Sequence, residues 1–485
     1  MLVTTAFFYF GKVKNQSPFS TQWWQGKSLW ILLPAILVFI AGKWHDLALP
    51  LFWDELGVYG RGILYMVDHG PGLLPSALPP ELSRGHPLLF YFLFSLVGWI
   101  SDFSLPLLHG MALVVTAGLF FAVYFTGKKY WGEWAGLGGA LLLMVNPAIF
   151  AQASLILPEM MLSLFCFLAL FAFFENRFRW YFALGALAMM TKESAIVLPA
   201  AMAAFALLTA RGQRIRHILV AVSPLAVFAL FLLIQRMQNG WWFFPYHVEL
   251  ISFDPEKIGE KLGRILNFIF VEQGRIASAI LLSLGLIAFL ALVVRKTSDF
   301  HPLSLLLGIF FLGWLGFSVL NFYMDRYYLT FFPVIGVFAG AGLKEMGQAL
   351  GKWKITAIIP LAIALILPLF QFSTPKFRYD VDINYRQLIH VQTETTHFLE
   401  KEVKPGELFF ANFPLYNGFL DHRYGYMETE GGFKPTVVYS DTLRIAAIFQ
   451  PPLDAAYTIK IAPEKEIRRF EDGYAKAIIY WLRNE

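Results

Sequence analysis

Seven charged residues, widely separated in the chain, hold its chemical options: Asp54, Glu55, Arg84, His86, Glu159, Lys192 and Arg326. Asp54 and Glu55 stand side by side in LPLFWDELGVYG, just past the first long apolar run. Adjacent carboxylates at a membrane edge are costly unless they are solvated, paired or used. One of them could take a proton from an acceptor hydroxyl or amine. The plainer account is that Asp54 caps a helix starting at Glu55. In SRGHPLLFYFL, Arg84 and His86 precede Pro87, and proline is favoured in a first helical turn. Positive charge at a helix N-terminus opposes the dipole unless an anion arrives, and such termini bind phosphate well; the alternative is two solvated loop residues. Glu159 follows Pro158 in LILPEMMLSLF, which is also an ordinary helix start. Lys192 and Glu193 interrupt AMMTKESAIVLP, where they could pair or snorkel. Arg326 in NFYMDRYYLTFFP needs a partner against the dipole, either Asp325 or a phosphate.

The elements that must position these residues are membrane helices. The 485-residue chain is 57% hydrophobic and only 15% charged, with a mean hydropathy of +0.56. Soluble domains carry about 25% charged residues, so a soluble, disordered or fibrous chain is excluded. The net charge of +5 implies no nucleic-acid partner. The single cysteine, Cys166, excludes an intramolecular disulfide. Apolar runs recur at about 28–45, 106–126, 134–151, 158–174, 180–191, 194–210, 217–235, 276–294, 302–320, 327–343 and 355–371. They predict about eleven transmembrane helices, since a span needs roughly 17–25 residues. With the N-terminus inside, more Lys and Arg fall on the cytoplasmic segments than on the outer loops before the tail. That asymmetry sets the orientation. It puts all seven candidate residues at the outer leaflet.

The predicted domains are a cytoplasmic segment 1–27, a transmembrane domain 28–372 and an extracytoplasmic domain 373–485. The first external loop, 46–105, holds interfacial helices at about 55–68 and 87–100. Counting 87–100 as a span would put Lys128 and Lys129 outside, and its 14 residues are few for a crossing. The tail reads as a small α/β domain, with strand-like ELFFANF, TVVYS, YTIKI and AKAIIYW and a helix NYRQLIHVQTETTHFLEKEV.

In order, these motifs resemble the GT-C-fold glycosyltransferases that use polyprenyl-phosphate sugars, chiefly the protein O-mannosyltransferases and lipid A aminoarabinose transferases. The likeness covers about 28–343 and rests on Asp54-Glu55, His86-Pro87-Leu88-Leu89-Phe90-Tyr91, Lys128-Lys129, Glu159, Thr191-Lys192 and Arg326-Tyr327. Leu88 stands where the family has a second proline, and Glu159 where it often has Asp. The resemblance implies a GT-C-like catalytic domain with Asp54 as general base. Glu55 joins it as a second candidate acid. Glu159 would hold the acceptor or a cation. Arg84, His86, Lys192 and Arg326 would hold the lipid phosphate. The implied donor is a polyprenyl-phosphate sugar, and the implied acceptor an extracytoplasmic glycan, lipid or protein. The expected place is a bacterial inner membrane with the site on its periplasmic face. A divalent metal ion is possible, although no histidine cluster suggests zinc. A transporter or flippase would set its charges near mid-membrane within repeated halves, and no such repeat is present. A membrane scaffold is the third reading.

Overall fold

The computed structural model describes residues 26–210, 212–295, 301–322, 324–351, 355, 357–371, 378–440, 442–450 and 465–482. Outside the described residues lie almost all of segment 1–27, the YTIKI run, and Lys12, Lys14, Arg211, Lys296, Lys352 and Lys354 among the orienting cations.

The apolar runs fold as helices. Leu29–Lys43 (α1) leads into the first loop, which carries Gly60–His69 (α2) and Leu89–Ser101 (α3). Then come Leu105–Trp131 (α4), Glu133–Met144 (α5), Pro158–Phe174 (α6), Phe178–Thr191 (α7) and Val197–Thr209 (α8). Leu225–Asn239 (α9), Pro255–Phe270 (α10), Ile276–Val294 (α11), Pro302–Leu320 (α12) and Phe331–Leu350 (α13) complete the larger helices of the bundle. Among the described residues five helical stretches are long and apolar enough to cross a membrane: 29–48, 105–131, 214–239, 276–294 and 302–320. Shorter apolar helices flank them. Lys128 and Lys129 end α4, where cations suit the helix dipole. Proline opens α6, α10 and α12, as first-turn chemistry favours.

Several apolar runs break where side chains demand it. The run at 134–151 stops at Met144, and the Asn146 side chain caps a new short helix, Pro147–Gln152. The run at 217–235 divides into Arg214–Val222 and Leu225–Asn239 around Ser223-Pro224. The run at 327–343 becomes α-helical only at Phe331, so Arg326 and Tyr327 sit in a 3-10 turn, Asp325–Tyr328. The helix expected over 55–68 opens with a π turn, Glu55–Tyr59, before α2.

Among the described residues the tail forms helix Tyr385–Glu402 (α14) and a five-stranded sheet of order β2-β1-β3-β5-β4. Leu408–Ala411 (β1) pairs in parallel with Lys434–Thr436 (β2) and Ile445–Gln450 (β3). Ala475–Trp481 (β5) runs antiparallel to β3 and to Glu466–Asp472 (β4). The sequence reading missed β3 and β4. IAAIFQ in β3 is a short apolar run without alternation, as in a strand covered on both faces. EIRRFED in β4 is charged because it is a sheet edge. The strand expected at TVVYS ends at Thr436. One hydrophobic core lies among the bundle helices. A second is shared: first-loop residues Leu56, Ile63 and Phe94 pack in one cluster with Leu388, Phe409 and Ile479 of the tail.

Candidate active site

The bend after α1 aims Asp54. Trp53 holds a left-handed backbone, φ 48°, which non-glycine residues rarely adopt. Asp54 makes no capping bond at the helix start. Its Oδ2 instead accepts from Arg326 Nη2 at 2.5 Å, across 272 residues of sequence. Glu55 turns the other way. Its Oε2 accepts from the Phe52 amide at 2.8 Å and its Oε1 from the Ile156 amide, with His109 Nε2 at 3.4 Å. It is fully buried and does not line the cavity described below. The sequence offers Glu55 as a reacting acid, and here it stands apart from the other six residues. Two backbone N–H groups and a histidine occupy it.

Arg326 is the hub. Its guanidinium donates from Nη2 to Asp54, from Nε to Glu159 Oε1 at 3.2 Å and from Nη1 to Asp380 Oδ2 at 2.5 Å. The planar fork suits several carboxylates at fixed angles. Asp325, the neighbour offered as its simpler partner, pairs with Arg378 at 3.1 Å instead. Lys192 Nζ reaches the same Glu159 oxygen at 2.7 Å and lies 3.7 Å from the centre of the Tyr327 ring. Lys192 and Glu193 are thus not each other's partner, since Glu193 Oε2 takes His86 Nδ1 at 2.9 Å. Burial strips water from these groups, and each buried charge has an opposite charge beside it.

These residues face a cavity of about 580 Å³. Asp54, Arg84, His86, Glu159, Lys192 and Arg326 all line it, so six of the seven residues singled out from sequence converge. Its remaining wall is largely apolar, with Leu162, Phe228, Phe244, Trp314 and Phe317. Arg84 is exposed and left-handed at φ 48°. Gly85 follows at φ 73°, and a Cβ there would lie 2.8 Å from the Trp241 ring. Glycine is what lets the Trp241–His247 loop close over the Arg84–His86 turn.

Over residues 85–235 the chain matches the family model described as dolichyl-phosphate-mannose-protein mannosyltransferase. No curated protein sequence matches significantly. The backbone is similar to crystal structures of ArnT from Cupriavidus metallidurans. Against the form bound to undecaprenyl phosphate, the TM-score is 0.63 at 13% identity, over 94% of this chain and 98% of that one. Against the apo form it is 0.60 at 13% identity, over 93% and 98%. The chain has a GT-C fold.

Within this GT-C fold, three functional-looking groups escaped selection from sequence. Asp380 comes from the link between the bundle and the tail, in a polar stretch with no periodicity to mark it. Glu193 was visible beside Lys192, and His247 in an aromatic loop. His86, Glu193 and His247 each offer one ligand atom, all within 4.8 Å of one another, so they are the described residues best placed to hold a metal ion. Burial, with help from the nearby His86, lowers the His247 pKa to about 4. Its ring is therefore neutral at pH 7, as a metal ligand must be. The His86–Glu193 hydrogen bond already satisfies two of the three groups.

Proposed function

We propose that the chain is an integral-membrane glycosyltransferase that moves a sugar from a polyprenyl-phosphate donor to an extracytoplasmic acceptor. The observation that carries this reading is the cavity itself. Asp54, Arg84, His86, Glu159, Lys192 and Arg326 come from five separate stretches of sequence and line it together with many apolar side chains. Such a cavity suits a ligand with a charged head and a greasy tail. The fold agrees, since the ArnT structure with that backbone holds undecaprenyl phosphate.

The chemistry is a substitution at the anomeric carbon. The acceptor oxygen or nitrogen attacks that carbon, and the bond from it to the phosphate oxygen breaks. The electron pair leaves with the lipid phosphate, and the acceptor proton passes to Asp54. Asp54 suits the role of base because its side chain is the more accessible member of the Arg326 network, 22% exposed against 2% for Glu159. Lys192 and Arg326, with Arg84 and His86 nearer the rim, stabilise the charge that grows on the phosphate. Glu159 holds Lys192 and Arg326 through Oε1. Its Oε2 takes no hydrogen bond among the described residues and is left for a sugar hydroxyl. The distribution of Lys and Arg supports a site at the outer leaflet. The segment 28–372 serves as the catalytic domain and 373–485 as an extracytoplasmic cover.

The test is release of free polyprenyl phosphate, followed by mass spectrometry, from a panel of polyprenyl-phosphate sugars. Wild type should release it in the presence of acceptor. Asp54→Asn keeps an acceptor for Arg326 but cannot take a proton, and should lose about 10²–10⁴-fold in kcat with its thermal unfolding unchanged. Equal release by both proteins would remove Asp54 from the role of base. No release by wild type from any donor would remove the transferase reading.

A further inference from the structure

We propose that Asp380 is a positioning residue of the active site, through which the tail sets how tightly Arg326 holds the base Asp54. This rests on the transferase reading above. Asp380 does not line the cavity, so it does not meet substrate. It stands behind Arg326 and takes Nη1 while Asp54 takes Nη2 of the same guanidinium.

The link that carries Asp380 is fixed from several sides. Gln152 Nε2 donates to the Asp380 carbonyl at 2.8 Å, and Gln273 Nε2 to the Val381 carbonyl at 3.1 Å. Asp382 is fully buried. Tyr379 has a left-handed backbone, φ 52°, like Trp53 beside the base. The two rings lie 5.1 Å apart, and Phe413 of the tail packs edge-on against Trp53 at 4.8 Å. Non-glycine residues at positive φ persist only where surroundings hold them, and here the two flank the two carboxylates.

The electrostatics follow. A guanidinium shared by three carboxylates gives less to each than one shared by two. The charge on Asp380 therefore competes with Asp54 for the same guanidinium and loosens its hold on the base. The charged groups facing Asp380 are Arg326, Asp54 and Glu159. Burial pushes the Asp380 carboxyl up to about 6, against the pull of Arg326 and with the help of the two other acids. It gains its charge as pH rises through that value.

The experiment compares full-length wild type with Asp380→Asn in the donor assay, from pH 5 to pH 8. Losing the charge should strengthen the hold of Arg326 on Asp54. We expect kcat to fall about tenfold or more. The acid limb of the kcat profile should move to lower pH, and the donor KM should stay level or drop, since one negative charge has gone. A residue with only a structural role would reduce folded protein and leave the limb in place. A folded variant with unchanged kcat and unchanged limb overturns the proposal. If Asp380→Asn does not fold, Gln152→Met loosens the link while keeping the charge. It should then lower kcat at constant donor KM, and an unchanged kcat overturns the proposal. An inactive wild type overturns the transferase reading itself, and is seen before any variant is compared.

Discussion

Asp54 and Glu55 are neighbours in the chain with the same functional group, yet they have opposite surroundings. Asp54 meets a cation at the cavity wall, whereas Glu55 accepts two backbone N–H groups at full burial. A buried amide without an acceptor costs about 1–3 kcal/mol. Glu55→Gln keeps the shape but loses charge-assisted acceptance. It should therefore lower stability by about 1–3 kcal/mol and leave the kcat of the folded fraction near that of wild type. Asp54→Asn should do the reverse. Thermal unfolding and the donor assay on the same two preparations separate the effects, and a Glu55→Gln protein with intact stability but lost kcat would reverse the assignment. Sequence could not make this distinction. What separates the two acids is the amide of Ile156, about a hundred residues away, and no local pattern announces it.

Helices are where the sequence was most legible, because an apolar run of the right length has few other folds open to it. Their ends were less legible. Asn146, Ser223-Pro224 and the 3-10 turn at Arg326 interrupt runs whose composition stays apolar throughout. The tail's strands were legible only in part. β5 was recognised, while β3 carries no alternation and β4 is charged. Packing between helices depends on something hydropathy does not record, the absence of a side chain. A Cβ at Gly285 of α11 would lie 2.5 Å from the backbone of Gly342 in α13. In a bilayer such close approach of small residues replaces the hydrophobic drive between helices. Gly285→Leu should therefore push α11 from α13 and cost about 1–3 kcal/mol. A lower unfolding temperature in detergent, with the cavity residues untouched, is the expected result. An unchanged temperature would mean that this crossing contributes little.

At the scale of the whole molecule, bundle and tail are not two separate bodies joined by a tether. The first loop and the tail share one hydrophobic core, Arg423 pairs with Asp68, and Tyr426 donates to the Leu51 carbonyl. Lys43 at the end of α1 donates to Tyr385, which in turn donates to Asp46, while Arg386 pairs with Asp46. None of this was visible in the sequence, where the tail reads as a small α/β domain of its own. A long-range core forms from residues that look like ordinary amphipathic strand and helix faces until they meet. A chain ending at residue 371 loses the tail's share of that core, those ion pairs and Asp380 together. Its bundle helices should persist, because among the described residues their own core takes only Val381 from beyond residue 371. Its first loop should be loosened, since the tail residues that share its core are gone while bundle residues such as Leu108 and Met161 remain. The expected outcome is retained helical circular dichroism, rapid tryptic cleavage at Arg61 and Arg84, and no donor turnover. If cleavage at Arg61 is as slow as in the full chain, the first loop stands without the tail, and the shared core does not hold the loop in place.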